Sequence, residues 1–454
     1  MRIHVHPRRK NATLATLIAI VVSVNASVLK PESKEAASPC KIVSDKLGEE
    51  KNLDQQKINY DGDQVWRVYK NNKIVEEVVR LKDEEGSYQI WSNNASVADI
   101  FIKNYMLRDI KHLFKNLSVK YDVLLNNVQQ AIDEENPSLS TAVLEDLEGR
   151  KGHRMEWTTY HRLDDIYGYL NYLADTYPDI CSVRTIGNSI EGRPLKLLRI
   201  SNGTPDAPAI WIDGGIHARE WISPAAVTYI IDYLVENSDK LQTDFYILPV
   251  VNPDGYEYTF VTDRLWRKNR RKTNSVTGCM GIDLNRNFGY RWGGKGTSQM
   301  PCRDTYSGTG PFSEPETEAI RNFFDISAAQ FKAYLTFHSY GQYILYPWGY
   351  DHRVPPDYND LETVGRKAAA AMKKTGAGSV YTVGNSASTL YPAAGGSDDY
   401  AKALLKIKYA YTIELRDTGK YGFILPARYI IPTAKEALAA VEVVTEACCI
   451  PPKA

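Results

Sequence analysis

The segment Ile210-Trp-Ile-Asp-Gly-Gly-Ile-His-Ala-Arg-Glu220 runs an apolar strand into a pair of glycines and then delivers His217 and Glu220, three residues apart. A buried strand that ends in glycines and polar groups belongs in a sheet whose carboxyl edge opens on a crevice, where α/β proteins bind ligands. Two further runs have the same form: Phe331 to Phe337 ends in His338, Ser339 and Tyr340, and Tyr409 to Ile413 ends in Glu414, Leu415 and Arg416. An imidazole and a carboxylate together suit a borderline metal such as zinc, and a catalytic zinc takes three protein ligands and leaves one position for water. On its own, the His217/Glu220 spacing is more often that of a solvated face. Three polar strand ends converging on one edge are what point to a metal.

The chain has 454 residues, too many for one typical core, so the expectation is two domains plus extra segments. Its 55 basic and 55 acidic residues give a formal net charge of zero, which argues against nucleic acid or a membrane surface as partner. A basic start, Met1 to Lys10, precedes the apolar run Leu14 to Val24 and small residues at Ala26. This predicts a signal peptide over residues 1–26 and a secreted, extracellular protein. No later stretch approaches the ~18 apolar residues of a membrane span, so the mature chain is expected to be soluble. The six cysteines are therefore placed in an oxidising compartment. Six thiols allow 15 pairings. Cys279 and Cys302 form the best local bridge, Cys448 or Cys449 is a candidate partner for Cys181, and Cys40 has no obvious partner. Sequons stand at Asn94, Asn116 and Asn202.

Residues 60–130 alternate short strands (64–69, 88–91, 98–102, 120–125) with helical stretches (74–81, 106–116), the pattern of a small α+β unit. An acidic, helix-prone linker follows and ends in Arg150, Lys151 and Arg154, ready substrates for a trypsin-like protease in an exposed segment. Residues 27–151 are accordingly read as an activation propeptide and 152–454 as the catalytic domain. In the latter, strands near 182–186, 195–200, 209–213, 243–251, 332–337 and 409–415 alternate with helices near 163–177, 224–236, 314–325, 358–374 and from Thr433. Such alternation predicts a largely parallel or mixed sheet with helices on both faces.

The chain resembles the funnelin zinc carboxypeptidases. The resemblance is carried by His-Ala-Arg-Glu at 217–220, Asn-Pro-Asp-Gly-Tyr at 252–256, Leu-Trp-Arg-Lys at 265–268, Asp-Leu-Asn-Arg-Asn at 283–287, Phe-His-Ser-Tyr at 337–340, Leu-Tyr-Pro-Ala-Ala-Gly-Gly-Ser-Asp-Asp at 390–399 and Glu-Leu-Arg-Asp-Thr-Gly at 414–419. It implies a mixed, mostly parallel eight-stranded twisted sheet flanked by helices, preceded by a small open-sandwich propeptide that lies over the crevice. It implies one Zn²⁺ per chain on His217, Glu220 and His338, with Glu414 as general base and Arg267 beside the developing oxyanion. Arg286 with Asn285 would clamp the substrate's terminal carboxylate, and Arg219 would conduct it inward. Asp283 would orient His217, Tyr391 would close over substrate, Ser339 and Tyr340 would line outer subsites, and Phe423 would form a wall. For Glu414 the plainer alternative is an ion pair with Arg416.

Specificity is expected to turn on Asp398. The resemblance implies a branched aliphatic there in relatives that take apolar C-termini and an aspartate in those that take Lys or Arg; Asp399 is acidic in both groups, and Ser386 is a small residue that leaves the pocket open. The expectation is a monomeric, B-like pro-carboxypeptidase acting on peptide and protein C-termini and activated by a trypsin-like protease, without nucleic-acid or membrane partners. An A-like or broad specificity, and a non-catalytic zinc- or peptide-binding homologue, are the alternatives.

Overall fold

The computed structural model describes residues 57–449 except 85, 142, 144, 146, 148–152 and 377. The expectations for the signal peptide, Cys40, Arg150 and Lys151 fall outside the described residues.

The first unit comprises β1 (Gln64–Tyr69), α1 (Lys73–Glu84), β2 (Gln89–Asn93), β3 (Val97–Ile102), α2 (Leu107–Asn116) and β4 (Tyr121–Leu125). Its strands pair antiparallel in the order β2-β3-β1-β4. Successive strand side chains point to opposite faces, and the sequence uses both. Trp66, Val68, Ile100 and Ile102 pack with Val75 and Val79 of α1 and Ile110 and Phe114 of α2. Val65, Trp91 and Phe101 point the other way, against Leu265, Tyr340, Phe423 and Ile424 of the larger unit. A short helix, α3 (Val128–Glu135), follows, capped by Asn127, whose side chain accepts the N–H groups of Gln129 and Gln130.

The larger unit begins with α4 (Leu163–Thr176), β5 (Cys181–Asn188), β6 (Pro194–Ile200), β7 (Ala209–Asp213), α5 (Ile222–Glu236), β8 (Asp244–Leu248) and α6 (Pro253–Val261). It continues with α7 (Pro315–Ile326), β9 (Phe331–Ser339), β10 (Tyr343–Tyr346), α8 (Tyr358–Lys374), β11 (Thr382–Asn385), α9 (Ser386–Thr389), α10 (Ser397–Ala403), β12 (Tyr409–Leu415) and α11 (Ile430–Cys449). The eight strands run in the order β11-β10-β12-β9-β7-β8-β6-β5. The centre, β12-β9-β7-β8, is parallel, β10-β11 is a parallel pair, and the remaining pairings are antiparallel. One face is covered by α4, α5, α8 and α11, with Ile210, Ile212, Leu335, Phe337 and Tyr411 pointing into that layer. The other carries α7 and α10 over Trp211, Tyr334 and Ala410. With both faces covered, every residue of β7 is buried, which is why it reads as a continuous apolar run.

The four-residue strands β10 and β11 and the helix α6 were not anticipated. Pro253-Asp254-Gly255 reads as a turn, yet proline is tolerated at the first helical position, and Asn252 caps α6 by accepting the Gly255 N–H. Helix α11 begins at Ile430, three residues before Thr433; Pro432 sits in its first turn, where no N–H is needed. The disulfide Cys279–Cys302 is formed. Cys181 meets neither candidate partner, and Cys181, Cys448 and Cys449 are all unpaired. Cys181 lies near Tyr169, whereas Cys448 lies near Lys332 and Lys408 at the opening ends of β9 and β12.

Candidate metal centre and its crevice

Strand β7 needs its glycines to deliver the first ligands. A side chain on Gly214 would meet Ser223 Oγ at 2.7 Å and the Pro249 carbonyl at 3.2 Å, and Gly215 has φ +63°. The chain then turns through His217 and Glu220 into α5. His338 arrives on the neighbouring β9, next to Glu414 of β12 in parallel register. His217 Nδ1 lies 2.7 Å from Glu220 Oε1, His338 Nδ1 lies 3.1 Å from Glu220 Oε2, and the two Nδ1 atoms face each other at 3.2 Å. Two imidazole nitrogens held this close, with a buried carboxylate against both, form a donor set for a cation. Two nitrogens and one oxygen match zinc. The far nitrogen of His217, Nε2, is 3.2 Å from Asp283 Oδ1, which directs the Nδ1 lone pair to the centre.

Burial works against charge on Asp283, but Arg267, Arg286 and His217 hold its carboxyl well below the usual range. Arg267 donates to Asp283 Oδ2 at 2.9 Å and points an arm toward Glu220, 4.0 Å away. Asp283 Oδ1 also accepts the Asn285 N–H, so one carboxylate braces His217, Arg267 and the Asn285-Arg286 turn. Arg286 is fixed by donating to the Gly296 and Asn285 carbonyls, and the Asn285 side-chain oxygen accepts the Ser397 N–H at the start of α10. Burial pushes the Glu414 carboxyl up to about 7; Glu220 adds to this, while His338, Arg267 and Arg286 oppose it. Arg416 is not its partner, pairing instead with Glu436.

Asp398, the second residue of α10, is buried at the crevice floor among Leu345, Gly349, Ser386, Leu390 and Thr412. Its Oδ1 accepts the Asp399 N–H at 2.8 Å, and its Oδ2 is 3.4 Å from the Ser386 hydroxyl. Burial raises its pKa. No Lys or Arg is ion-paired with it among the described residues. Asp399 is turned away, accepting the N–H groups of Gly349 and Tyr350. Tyr391 stands half-exposed in the crevice wall, and Ser339, Tyr340 and Phe423 line it as well. Arg219 lies beneath, its guanidinium 4.1 Å from the centre of the Phe423 ring and 3.5 Å from Asp304.

The first unit contributes a part of the crevice wall that local sequence patterns did not suggest: Trp91, Ser92 and Asn93. Trp91 packs against Phe423, the Tyr340 hydroxyl donates to Asp99 at 3.0 Å, and Arg67 donates to the Thr418 carbonyl. Arg264 forms a buried pair with Glu135 of α3. No local sequence signal marked Arg67, Trp91, Ser92, Asn93, Asp99 or Glu135, because each reads as an ordinary alternating strand or charged helix position.

Residues 166–440 match the family described as zinc carboxypeptidase, and residues 66–135 match the carboxypeptidase activation peptide. The chain belongs to the zinc carboxypeptidase family. It is 51% identical over 295 residues to carboxypeptidase B of Astacus astacus, covering 64% of this chain and 97% of the relative. It is 36% identical to carboxypeptidase B of Rattus norvegicus, over 85% of this chain and 93% of the relative. Carboxypeptidase A2 of Mus musculus reaches the same identity and coverage, 36% over 85% and 93%. The crystal structure of thrombin activatable fibrinolysis inhibitor superposes with a TM-score of 0.75 at 35% identity, over 85% of this chain and 98% of that one. This zinc metallocarboxypeptidase therefore carries an activation peptide, is a zymogen opened by proteolysis and takes peptides as substrate, and His217, Glu220 and His338 form its candidate metal site. Among the described residues no helix is long and apolar enough to cross a membrane.

Proposed function

We propose that this carboxypeptidase is a secreted, monomeric B-like enzyme that removes C-terminal Lys or Arg after its propeptide, residues 27–151, is cut from the catalytic domain near Arg150 to Arg154. The observation that carries the specificity is Asp398, an acidic side chain buried at the crevice floor with no cation paired to it among the described residues. A substrate ammonium or guanidinium would complete that pair, whereas an apolar side chain would leave the charge stranded. The signal-like N-terminus and the disulfide Cys279–Cys302 support export.

In this reading the terminal carboxylate binds Arg286 and the Asn285 amide, a planar fork suited to bidentate contact. That clamp makes the enzyme an exopeptidase, and Arg219 guides the incoming carboxylate once the first unit has left Phe423. Tyr391 closes over the bound residue, and Ser339 and Tyr340 contact the residues before it. Bound zinc supplies Lewis acidity at the scissile carbonyl and at the attacking water. Glu414 takes the water's proton and returns it to the leaving amine. Arg267, held in place by Asp283, stabilises the negative charge that develops on the carbonyl oxygen.

The test is a C-terminal specificity profile of the trypsin-activated enzyme. We expect kcat/KM for peptides ending in Lys or Arg to exceed that for Phe or Leu, with activity appearing as a fragment starting between Lys151 and Met155 accumulates. A higher kcat/KM for Phe would overturn the B-like assignment.

A further inference from the structure

Two neighbouring strands place a second buried acid behind the metal centre. On β9, residues two apart share a face, so Tyr334, Thr336 and His338 point the same way. On β7 so do Trp211 and Asp213, and the parallel register sets Trp211 opposite Tyr334 and Asp213 opposite Thr336. The Trp211 and Tyr334 rings stack with centroids 6.0 Å apart. The Thr336 hydroxyl lies 3.2 Å from His338 Nε2, the ring nitrogen that faces away from Glu220 and His217. Asp213 is 2% exposed, and its Oδ2 accepts the Trp211 indole N–H at 2.6 Å. Its Oδ1 has no hydrogen bond closed onto it. Burial raises the pKa of this carboxyl, the neighbouring Thr336 hydroxyl, Trp211 indole and Tyr334 hydroxyl oppose the rise, and no Lys or Arg is ion-paired with it among the described residues.

A buried carboxylic acid without a cation is costly unless its hydrogen bonds serve a purpose. Asp283 braces His217 directly, whereas among the described residues no carboxylate bonds His338 Nε2, which meets the Thr336 hydroxyl. We propose that Thr336 and Asp213 form a relay that positions His338 as an Nδ1 zinc ligand. The Thr336 hydroxyl accepts the His338 Nε2–H and turns its own proton to Asp213 Oδ1. The imidazole is thereby fixed in the tautomer whose Nδ1 lone pair faces the metal, and its ring plane is fixed with it. Asp213 and Thr336 are positioning residues here, and the inference rests on the three-ligand zinc site.

The experiment is zinc affinity of the full-length chain by competition with a chromophoric chelator, for wild type, Thr336→Val, Thr336→Ser, Asp213→Asn and the double variant Thr336→Val/Asp213→Asn. Thr336→Val keeps the shape and removes the hydroxyl, so zinc Kd is expected to weaken by ~10–100-fold, the usual effect of losing an outer partner of a metal ligand. Thr336→Ser is expected to restore affinity. The double variant should bind zinc no more weakly than the worse single one, because both changes break one relay. An unchanged Kd in Thr336→Val, or additive losses, would overturn the relay. If Thr336→Val does not fold, wild type alone decides: ring ¹H–¹⁵N spectra of the zinc-loaded protein must show His338 protonated on Nε2, and a proton on Nδ1 refutes the inference. Equal zinc affinity in wild type and His338→Ala would instead defeat the three-ligand site, and the relay with it.

Discussion

Asp398→Asn is the sharpest perturbation of the proposed specificity, because it removes a charge and little else. The asparagine carbonyl can still accept the Asp399 N–H that Asp398 Oδ1 accepts at 2.8 Å, and the amide fits beside Ser386 and Thr412. Leaving one member of a buried ion pair without its partner costs about 3–5 kcal/mol. At about 1.4 kcal/mol per tenfold, this is a loss of roughly 10²–10⁴ in kcat/KM for a C-terminal Arg or Lys. The amide oxygen still takes one hydrogen bond from the substrate, which places the expected loss toward the lower end. The pair forms in the ground-state complex as well as in the transition state, so the loss should appear mainly in KM. Peptides ending in Leu should gain, because their side chain no longer faces an unmatched anion. The assay is steady-state hydrolysis of matched peptides ending in Arg, Lys and Leu by the trypsin-activated enzyme, with zinc content measured alongside. Unchanged kcat/KM for Arg in a variant of full zinc content would refute the assignment of Asp398 as the recognition charge.

Three further outcomes follow from the geometry. Glu414→Gln should retain zinc and peptide binding while kcat falls by ~10²–10⁴, the range for loss of a general base; near-wild-type turnover would exclude Glu414 from proton transfer. Glu135→Gln strands Arg264 in a buried site, so the first unit should hold the crevice less firmly and trypsin activation should quicken, as followed by the time course of fragment release. Burial alone would lower the pKa of His161, but Asp165 and Glu156 outweigh it and raise the ring to about 9. A folded pKa above the unfolded 6.5 means the stabilisation, about 3 kcal/mol, is complete below pH 6.5 and fades as pH rises through 9. His161→Gln should therefore lower Tm at pH 6 and converge with wild type near pH 10, and a Tm gap independent of pH would count against it.

The three strand ends were legible because each polar residue of the site follows a long apolar run, and burial on both faces makes such runs plain in β7, β9 and β12. Asp398 was legible as chemistry, through its place in a motif, and the structure adds that its neighbours are hydroxyls and backbone N–H groups in place of cations. What escaped were relations between segments. Nothing local to Trp91 or Asp99 says that β2 and β3 cover the crevice, since their alternation only divides a strand into two faces and does not name what packs on the outer one. The same holds for Arg416, whose separation of two residues from Glu414 suggested a pair that does not form: Glu414 lies at the metal edge, while Arg416, beyond the end of β12 at Leu415, reaches Glu436 on α11. Thr336 and Asp213 make the point most sharply. Each looks like an unremarkable polar interruption of a strand, and only the β7–β9 register, in which Asp213 stands opposite Thr336 two residues before His338, turns them into one device. Ligand identity is thus a property of single segments, whereas the bracing that holds a ligand in place is a property of strand order.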